Sequence, residues 1–119
     1  MCIRACALRL AEQGWPVAVC AGSPEGVDET VAVARDRGGE ATGVVADVST
    51  AAAIESLFAH VDAEHGELHA LVCNAGGAPP EAFDSLDDRA WLTGYQLTLM
   101  SAVRAIRVAI PGMRAATAA

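Results

Sequence analysis

The sequence has 119 residues, of which 53% are hydrophobic, and its formal net charge at pH 7 is −7. This length suffices for one domain with a modest core, and we expect residues 1–119 to form a single domain. The acidic balance argues against a surface for nucleic acids or anionic membranes, because no extended basic patch is available to neutralise phosphates. No apolar run approaches the roughly 18 residues of a membrane span, and no secretory signal is visible, so the default location is the cytoplasm.

Apolar residues at helical spacing predict three α-helices in the first part of the chain. The first spans residues 2–13. Ser23 is expected to cap the second helix, with Pro24 at its first position. Ser49 is expected to cap the third helix, and Gly66 to end it. The residues predicted to face the core from these helices are Ile3, Cys6, Ala7, Leu10, Val27, Val31, Ala34, Ile54, Leu57, Phe58 and Val61.

Short, mostly apolar runs predict three strands, at residues 16–21, 42–46 and 68–73. The run 68–73 contains no turn residue and is expected to be buried on both faces of a sheet. Strands that alternate with helices of about a dozen residues are typical of βαβ units. The sequence therefore predicts an α/β fold with a parallel sheet.

A long helix is predicted near the C-terminus, after a proline-containing loop at residues 78–84. It is expected to start near Ser85, with Asp88 in the capping-box position. Pro111 marks its expected end, because the residue before a proline avoids helical backbone angles. The alanine-rich tail, residues 115–119, is expected to fray.

Cysteine and histidine residues raise the question of a metal site or a disulfide. No Cys-x-x-Cys pair occurs, and the cysteines fall in helix-like or strand-like apolar runs, so we interpret them as buried, reduced thiols. The histidines stand near several acids, but their spacing is more typical of a solvated helix end than of a metal cluster. The residues concerned are Cys2, Cys6, Cys20, Cys73, His60, His65 and His69.

The predicted strand at 68–73 runs directly into Asn74, Ala75 and Gly76. In an open α/β sheet, ligands bind at the carboxyl ends of the strands, so this turn is where a cofactor would be met. The tetrapeptide beginning at Cys73 resembles the Asn-Asn-Ala-Gly signature of the short-chain dehydrogenases/reductases, with cysteine in place of the first asparagine. Asn74 also has a simpler interpretation as a turn former.

Three further stretches resemble that family in the same order. Residues 4–14 look like the helix that follows the family's glycine-rich loop. Asp47 and Val48 resemble the Asp-Val pair that meets the cofactor adenine, although Asp47 also has an interpretation as an acid beside a helix cap. Residues 91–113 look like the family's long helix up to its Pro-x-Met end. The resemblance covers nearly the whole chain but only the middle of a typical member.

The resemblance implies a Rossmann-like, three-layer α/β/α domain that is incomplete, without the first strand and the C-terminal strands of the family. It also implies an NAD(P)-dependent oxidoreductase that interconverts hydroxyl and carbonyl groups, with a small carbonyl or alcohol substrate. Thr98 stands at the position of a catalytic asparagine of the family. The implied cofactor-binding residues are Ala21, Gly22, Asp47, Val48, Asn74, Ala75 and Gly76.

The sequence also departs from the family pattern. It contains no lysine, and its one tyrosine, Tyr95, is followed four residues later by Leu99, so Tyr-x-x-x-Lys does not occur. No glycine precedes Gly14, so the pyrophosphate-binding turn is not present either. We therefore expect a central fragment of an oxidoreductase that is inactive as given. The alternative is a non-catalytic pseudo-enzyme or a fragment that binds a partner.

Cofactor preference and assembly follow from the same resemblance. An acid at the end of the second family strand would hold the ribose 2′-hydroxyl of NAD, but Ala21 and Gly22 stand there, which favours NADP over NAD. The helix 85–110 resembles the family's dimerisation helix, so a homo-oligomer is expected. Trp91, Tyr95 and Leu99 recur at helical spacing and are interpreted as core or subunit contacts. A receiver domain phosphorylated on Asp47 is excluded, because that fold needs an acidic pair and a lysine that are absent here.

Overall fold

The computed structural model describes residues 2–77 and 80–118, with the side chain of Cys2 left out. Helices and strands alternate through the first half, and a nearly continuous helix fills the last quarter. A 3₁₀ turn, Phe83–Ser85, precedes that helix, and a π-helical turn, Gln96–Met100, interrupts it. The elements are α1 (Cys2–Glu12), β1 (Val17–Ala21), α2 (Pro24–Asp36), β2 (Ala41–Val45), α3 (Ala51–His65), α4 (Asp88–Tyr95) and α5 (Ser101–Ala118).

The two strands form a parallel ladder in which Val17 pairs with Ala41 and Ala21 with Val45. This arrangement confirms the predicted parallel pairing, with β2 beginning one residue earlier than expected. Successive side chains of a strand point to opposite faces, so each face is covered by different helices. A Cβ atom at Gly43 would collide with Val27 of α2, which places α2 directly on that face of the sheet.

Small residues allow α1, α2 and the sheet to pack closely. Ala11, Ala34 and Ala41 are 2%, 2% and 3% exposed and form one cluster, one from each of α1, α2 and β2. A Cβ atom at Gly39 would lie 2.7 Å from the Cβ of Ala11, so the turn between α2 and β2 presses against α1. The alanine-rich composition therefore allows the helices and the sheet to pack at short distances, without a core of large side chains.

The opposite face of the sheet meets the end of α3. Thr42, whose side chain points away from α2, forms a 2.7 Å hydrogen bond between its hydroxyl oxygen and Nε2 of His65, the last residue of α3. α3 itself packs against α5, and Ile54 between them is only 1% exposed. Helices therefore lie on both sides of a parallel sheet, which confirms a three-layer, Rossmann-like α/β/α arrangement with an incomplete sheet.

The predicted strand at 68–73 is wrong as an element of the sheet. This segment has no ladder partner, and the backbone groups of residues 67–77 make no hydrogen bond to other described residues. Val72 is 51% exposed, so the segment is not buried on both faces. Its residues are apolar and β-prone, but a strand forms only where a neighbouring strand offers donors and acceptors. Across the part of the chain that is described, no such neighbour stands beside it.

The predicted helix ends need three corrections. α3 is capped by Thr50 rather than Ser49, since the Thr50 hydroxyl accepts a 3.3 Å bond from the amide of Ala53. α4 is capped by Asp87, two residues after Ser85, through a 2.8 Å bond from the amide of Ala90 to its carboxylate. α5 continues past Pro111 to Ala118, so neither the end at Pro111 nor a frayed tail up to residue 118 is observed. A proline removes one internal bond, but the freed carbonyl, that of Arg107, belongs to an exposed residue, so the helix tolerates the loss.

The remaining predictions for the helices hold in outline. Ser23 caps α2, accepting a 3.3 Å bond from the amide of Gly26, and Pro24 is the first helical residue. Gly66 follows α3 with a φ of 72°. Two parts of the chain discussed above lie outside the described residues: the start of the loop, residues 78–79, and Ala119.

The cysteines and histidines are less uniform than predicted. Cys6 and Cys73 are exposed and Cys20 is half-buried, so the prediction of buried thiols is wrong for the first two, and the side chain of Cys2 lies outside the described residues. His65 is half-buried rather than solvated, and its side chain is only 9% exposed. Over residues 2–77 and 80–118, no group of three potential metal ligands is found. No helix in the same ranges is long and apolar enough to cross a membrane.

Candidate cofactor-binding site

The carboxyl ends of β1 and β2 form one edge of the sheet, and four of the candidate residues lie there. Ala21 is the last residue of β1, and its carbonyl accepts a 3.1 Å bond from the amide of Ala46. This bond carries the chain of β2 alongside Ala21 before it turns at Asp47 and Val48. Gly22 follows β1 on the same edge, and a Cβ atom there would meet nothing within 4 Å. The structure thus brings both strand ends together.

Asp47 occupies the turn between β2 and α3. Its Oδ1 accepts a 3.0 Å bond from the amide of Ser49, which fixes the carboxylate at the mouth of the turn. The pKa of Asp47 lies below its ordinary value, mainly because of the Ser49 hydroxyl and to a smaller extent because of the Ser49 amide. Burial opposes these two effects and is weaker than either. The group is therefore ionised at neutral pH. It remains exposed, and an ionised carboxylate has several further acceptor positions for a ligand donor.

The turn Asn74-Ala75-Gly76 is exposed at Asn74 and Gly76 and half-buried at Ala75. Gly76 and Gly77 have φ values of 153° and 127°, a region that L side chains rarely adopt. This backbone explains why glycine follows the Asn-Ala pair. Among the described residues, no hydrogen bond joins Asn74 to Asp47 or to β1, so the structure does not tie this turn to the strand edge.

Thr98 meets the same turn from the long helix. It lies within the π-helical turn between α4 and α5, and its methyl Cγ2 would be 3.0 Å from a Cβ atom placed on Gly76. Its hydroxyl donates to the carbonyl of Gly94, which engages its proton with the helix. Single-turn π-bulges occur frequently at functional sites. The structure therefore brings Thr98 and Gly76 together.

The π-helical turn is the part of this site that the sequence did not predict. Gln96, its first residue, has a buried Oε1 without a hydrogen-bond partner in the described part of the chain. The only sequence signal was Thr98 itself, since threonine in a helix often bonds to the carbonyl four residues earlier and disturbs the helix.

Trp91, Tyr95 and Leu99, interpreted as core or subunit contacts, are 49%, 49% and 51% exposed, which rules out a core position in this chain.

Comparison with known proteins decides the family. The family model described as short chain dehydrogenase matches residues 4–119. The chain belongs to this family. One relative, the cis-4-hydroxycyclohexanecarboxylate dehydrogenase of Sinomonas cyclohexanicum, is 37% identical over 111 residues, which cover 87% of this chain and 44% of that protein. The 3-oxoacyl-[acyl-carrier-protein] reductase of Staphylococcus aureus is 30% identical over 92% of this chain and 45% of its own length.

Solved structures agree with the fold. The L-sorbose reductase of Gluconobacter frateurii, solved with NADPH and L-sorbose, superposes with a TM-score of 0.85 at 28% identity, over 93% of this chain and 43% of that one. An NADH-dependent reductase responsible for alginate metabolism gives a TM-score of 0.84 at 26% identity, over 93% and 46%. The chain thus spans less than half the length of the short-chain dehydrogenases that it matches.

The described residues fit part of a dinucleotide. Asp47 offers an ionised, accessible acceptor beside the strand edge, and Gly22 leaves open space next to it. Gly76 allows the turn after Asn74 to approach the helix at Thr98 closely. These features suit an adenosine group, which needs a hydrogen-bond acceptor and room near the backbone. The sequence holds no glycine-rich turn for the pyrophosphate.

Proposed function

We propose that this chain contributes the adenosine side of the cofactor site of an NAD(P)-dependent oxidoreductase that interconverts hydroxyl and carbonyl groups. The observation that carries the proposal is the position of Asp47, ionised and accessible where β2 ends beside β1. Ligands of open α/β sheets bind at this edge. Family membership supports the reaction class, since the relatives named above are dehydrogenases and reductases.

In this proposal each candidate residue has a part in binding. Asp47 accepts a hydrogen bond from the adenine amino group, and Val48 packs against the ring. Asn74, Ala75 and Gly76 line the adenosine ribose, with Ala21 and Gly22 beside its 2′ position. When bound, the nicotinamide accepts or supplies a hydride. The chain's own residues hold and orient the adenosine half, and Thr98 steadies the turn at Gly76 from the helix.

We infer that the 119 residues do not carry out the reaction by themselves. The sequence has no lysine to lower the pKa of a catalytic tyrosine, and Tyr95 is followed at the fourth position by Leu99. A positioned general acid or base contributes about 10² to 10⁴ in rate. Thr98 is no substitute for this group, because its hydroxyl donates to the carbonyl of Gly94 and has no ionisable partner in the described residues.

Ligand-observed NMR of the chain with adenosine 5′-monophosphate tests the binding role directly. We expect saturable, weak binding that Asp47→Ala abolishes and that Asp84→Ala, at another exposed acid, leaves unchanged. A parallel incubation with NADH or NADPH and a panel of ketones should show no protein-dependent oxidation of the cofactor. Binding that is indifferent to Asp47→Ala contradicts the site, and reproducible turnover contradicts the inferred inactivity.

We further propose a preference for NADP over NAD. Ala21 and Gly22 present no carboxylate to repel a 2′-phosphate, and a Cβ at Gly22 would meet no atom within 4 Å, so the added group has room. Adenosine 2′,5′-bisphosphate should therefore bind more tightly than adenosine 5′-monophosphate. The matched variant Gly22→Asp should reverse this order by repelling the 2′-phosphate. Tighter binding of the monophosphate to the unmodified chain would contradict the preference.

A second candidate function is non-catalytic association through the helical residues 88–110, which we propose to pair with a second copy of the chain. Three apolar side chains of this helix, Leu92, Leu99 and Ile106, are 63%, 51% and 46% exposed. An apolar face of this kind is typical of a protein interface. Cross-linking or sedimentation that shows only monomers at high concentration would contradict this candidate.

A further inference from the structure

A cavity of about 130 Å³ lies between α3 and α5. One buried water needs only about 10–15 Å³, so this space admits a larger polar group. Its walls are Ala51, Ile54, Glu55, Arg104, Arg107 and Val108. None of these residues is a candidate for cofactor binding, so the proposed function does not account for the cavity.

Two arginines converge on this cavity from one side of α5. Arg104 and Arg107 are three positions apart, which makes them neighbours on the helix surface. Nη1 of Arg104 donates a 2.9 Å bond to the carbonyl of Ser49, which fixes this partly buried side chain beside the start of α3. A guanidinium has five N–H donors, and this bond uses one of them. The remaining donors of Arg104 and those of the more exposed Arg107 are available to a ligand.

The charge in the cavity is not balanced by the protein. In the described part of the chain neither Arg104 nor Arg107 forms an ion pair, whereas Arg37 is paired with Glu12. Glu55 lines the same cavity, but its carboxylate is not in an ion pair with either arginine. Two cations beside one carboxylate leave a local excess of one positive charge. The apolar wall at Ile54, which is 1% exposed, lowers the local dielectric on one side of the cavity and strengthens this field.

We propose that this cavity is a binding site for a phosphate group, either the free ion or the end of a small phosphate monoester. The planar guanidinium fork matches the oxygens of phosphate. A doubly charged phosphate also gains more electrostatic attraction from two arginines than a ligand with one carboxylate would. Glu55 opposes the anion and keeps the affinity low. The site is local and small, so it is compatible with an overall charge of −7, which argues against long polyanions.

Titration of the 119-residue chain with inorganic phosphate, followed by ³¹P NMR at an ionic strength held constant with sodium chloride, tests this site. A second titration uses glycerol 3-phosphate as the monoester. We expect saturable binding in the millimolar range. Arg107→Gln should weaken it about tenfold, the usual size of a lost charged hydrogen bond. Glu55→Gln should tighten it several-fold, because the opposing charge is removed. Arg114→Gln, an exposed arginine farther along α5, is the matched control and should bind like the unmodified chain.

Arg107 is exposed and carries no hydrogen bond to another element in the described residues, so its variant is expected to fold, and far-UV circular dichroism checks this. Equal binding by Arg107→Gln and the unmodified chain overturns the proposal, as does an equal loss in Arg114→Gln. Binding of inorganic phosphate alone identifies the free ion as the ligand, and equal binding of glycerol 3-phosphate identifies the monoester. Weaker binding in Glu55→Gln shows that Glu55 serves an internal ion-pair network and also overturns it. The test needs no nicotinamide cofactor, so its failure leaves the adenosine site unaffected.

Discussion

Gly76 and Thr98 are in direct contact, since a Cβ atom on Gly76 would lie 3.0 Å from Cγ2 of Thr98. One residue belongs to the turn after an unpaired extended segment, and the other to the π-helical turn between α4 and α5. The glycine therefore meets two demands at once. It adopts a φ of 153°, and it leaves room for the threonine methyl group. This contact is what joins the Asn-Ala-Gly turn to the long helix.

We predict that Gly76→Ala lowers the thermal unfolding midpoint more than Gly77→Ala. Both substitutions force an L side chain into a backbone region that costs about 1–3 kcal/mol, but only the first also presses against Thr98, since Gly77 has nothing within 4 Å of an added Cβ. Thr98→Ser removes the methyl group and keeps the hydroxyl. Combined with Gly76→Ala, it should therefore raise the unfolding midpoint to about that of Gly77→Ala. Circular dichroism at one fixed protein concentration measures these midpoints. Equal midpoints for the two variants would show that the contact is not tight.

The buried contact between His65 and Thr42 gives a second prediction. His65→Ala removes a side chain that is 9% exposed and leaves the Thr42 hydroxyl without its partner, whereas His60→Ala changes an exposed residue of the same helix. We expect His65→Ala to destabilise the chain by about 1–3 kcal/mol, and His60→Ala to have little effect. Thr42→Val, which replaces the hydroxyl with a methyl group of similar size, should cost less than His65→Ala.

In a double-mutant cycle, the variant changed at both Thr42 and His65 should lose less stability than the sum of the losses in the two single variants. The reason is that either change alone already breaks the shared hydrogen bond. Thermal unfolding of the unmodified chain and the three variants supplies the values. Strict additivity would mean that the sheet and α3 are held together by other contacts.

These contacts show which parts of the fold the sequence reveals. Local signals predicted the helices and the cap at Ser23, because each depends on residues within a few positions of one another. The alternation of strand-like and helix-like segments predicted the parallel pairing of β1 and β2. The prediction at Leu68 failed for the opposite reason, since a strand depends on a partner that is distant in sequence and absent beside it in the described residues. Burial of His65 likewise arises from β2, which lies over twenty positions away.

The candidate site, like the fold, could be predicted from the sequence only in part. Asp47 at a strand end and glycine after Asn74 followed from residue type and order. The π-helical turn that carries Thr98 did not, because no local pattern distinguishes it from an ordinary helix. Pro111 gave a misleading signal, since the exposed turn around it tolerates the lost internal bond.

A third prediction concerns the ionisation of Asp47. Its pKa is lowered mainly by the Ser49 hydroxyl and then by the Ser49 amide, so Ser49→Ala should raise the pKa toward the ordinary value of 3.8 without abolishing the effect of the amide. A group with a lowered folded-state pKa contributes stability above its unfolded pKa and loses it as the pH falls through the folded one. The stability that this group contributes is therefore present above a pH of about 4 and is lost as the pH falls below that value.

A ¹³C NMR titration of the Asp47 carboxyl group measures this shift, with Ser85→Ala as the matched control at a serine that bonds to a backbone carbonyl instead. The Ser85 variant should titrate like the unmodified chain. An unchanged pKa in Ser49→Ala would assign the whole effect to the backbone amide.

The last prediction is that the 119-residue chain does not behave as a stable monomer. β1 has a neighbour on one side only, and the segment 67–77 leaves its backbone groups without partners in the described residues. Groups of this kind need a new partner when they are buried, and the apolar Val72 of the same segment is 51% exposed. Unpaired edges and exposed apolar faces both favour association.

We therefore expect urea unfolding to be weakly cooperative and to depend on protein concentration, and sedimentation to show self-association. Two variants separate the two sources. Leu92→Lys places a charge on the exposed helix face, and Val72→Lys places one on the unpaired segment. If the helix is the interface, the first should shift the chain toward monomer and the second should change it less. If edge pairing dominates, the order reverses, because a charged residue on an edge strand opposes pairing. A single cooperative transition of several kcal/mol, independent of concentration, in a chain that sediments as a monomer would refute the prediction for both surfaces.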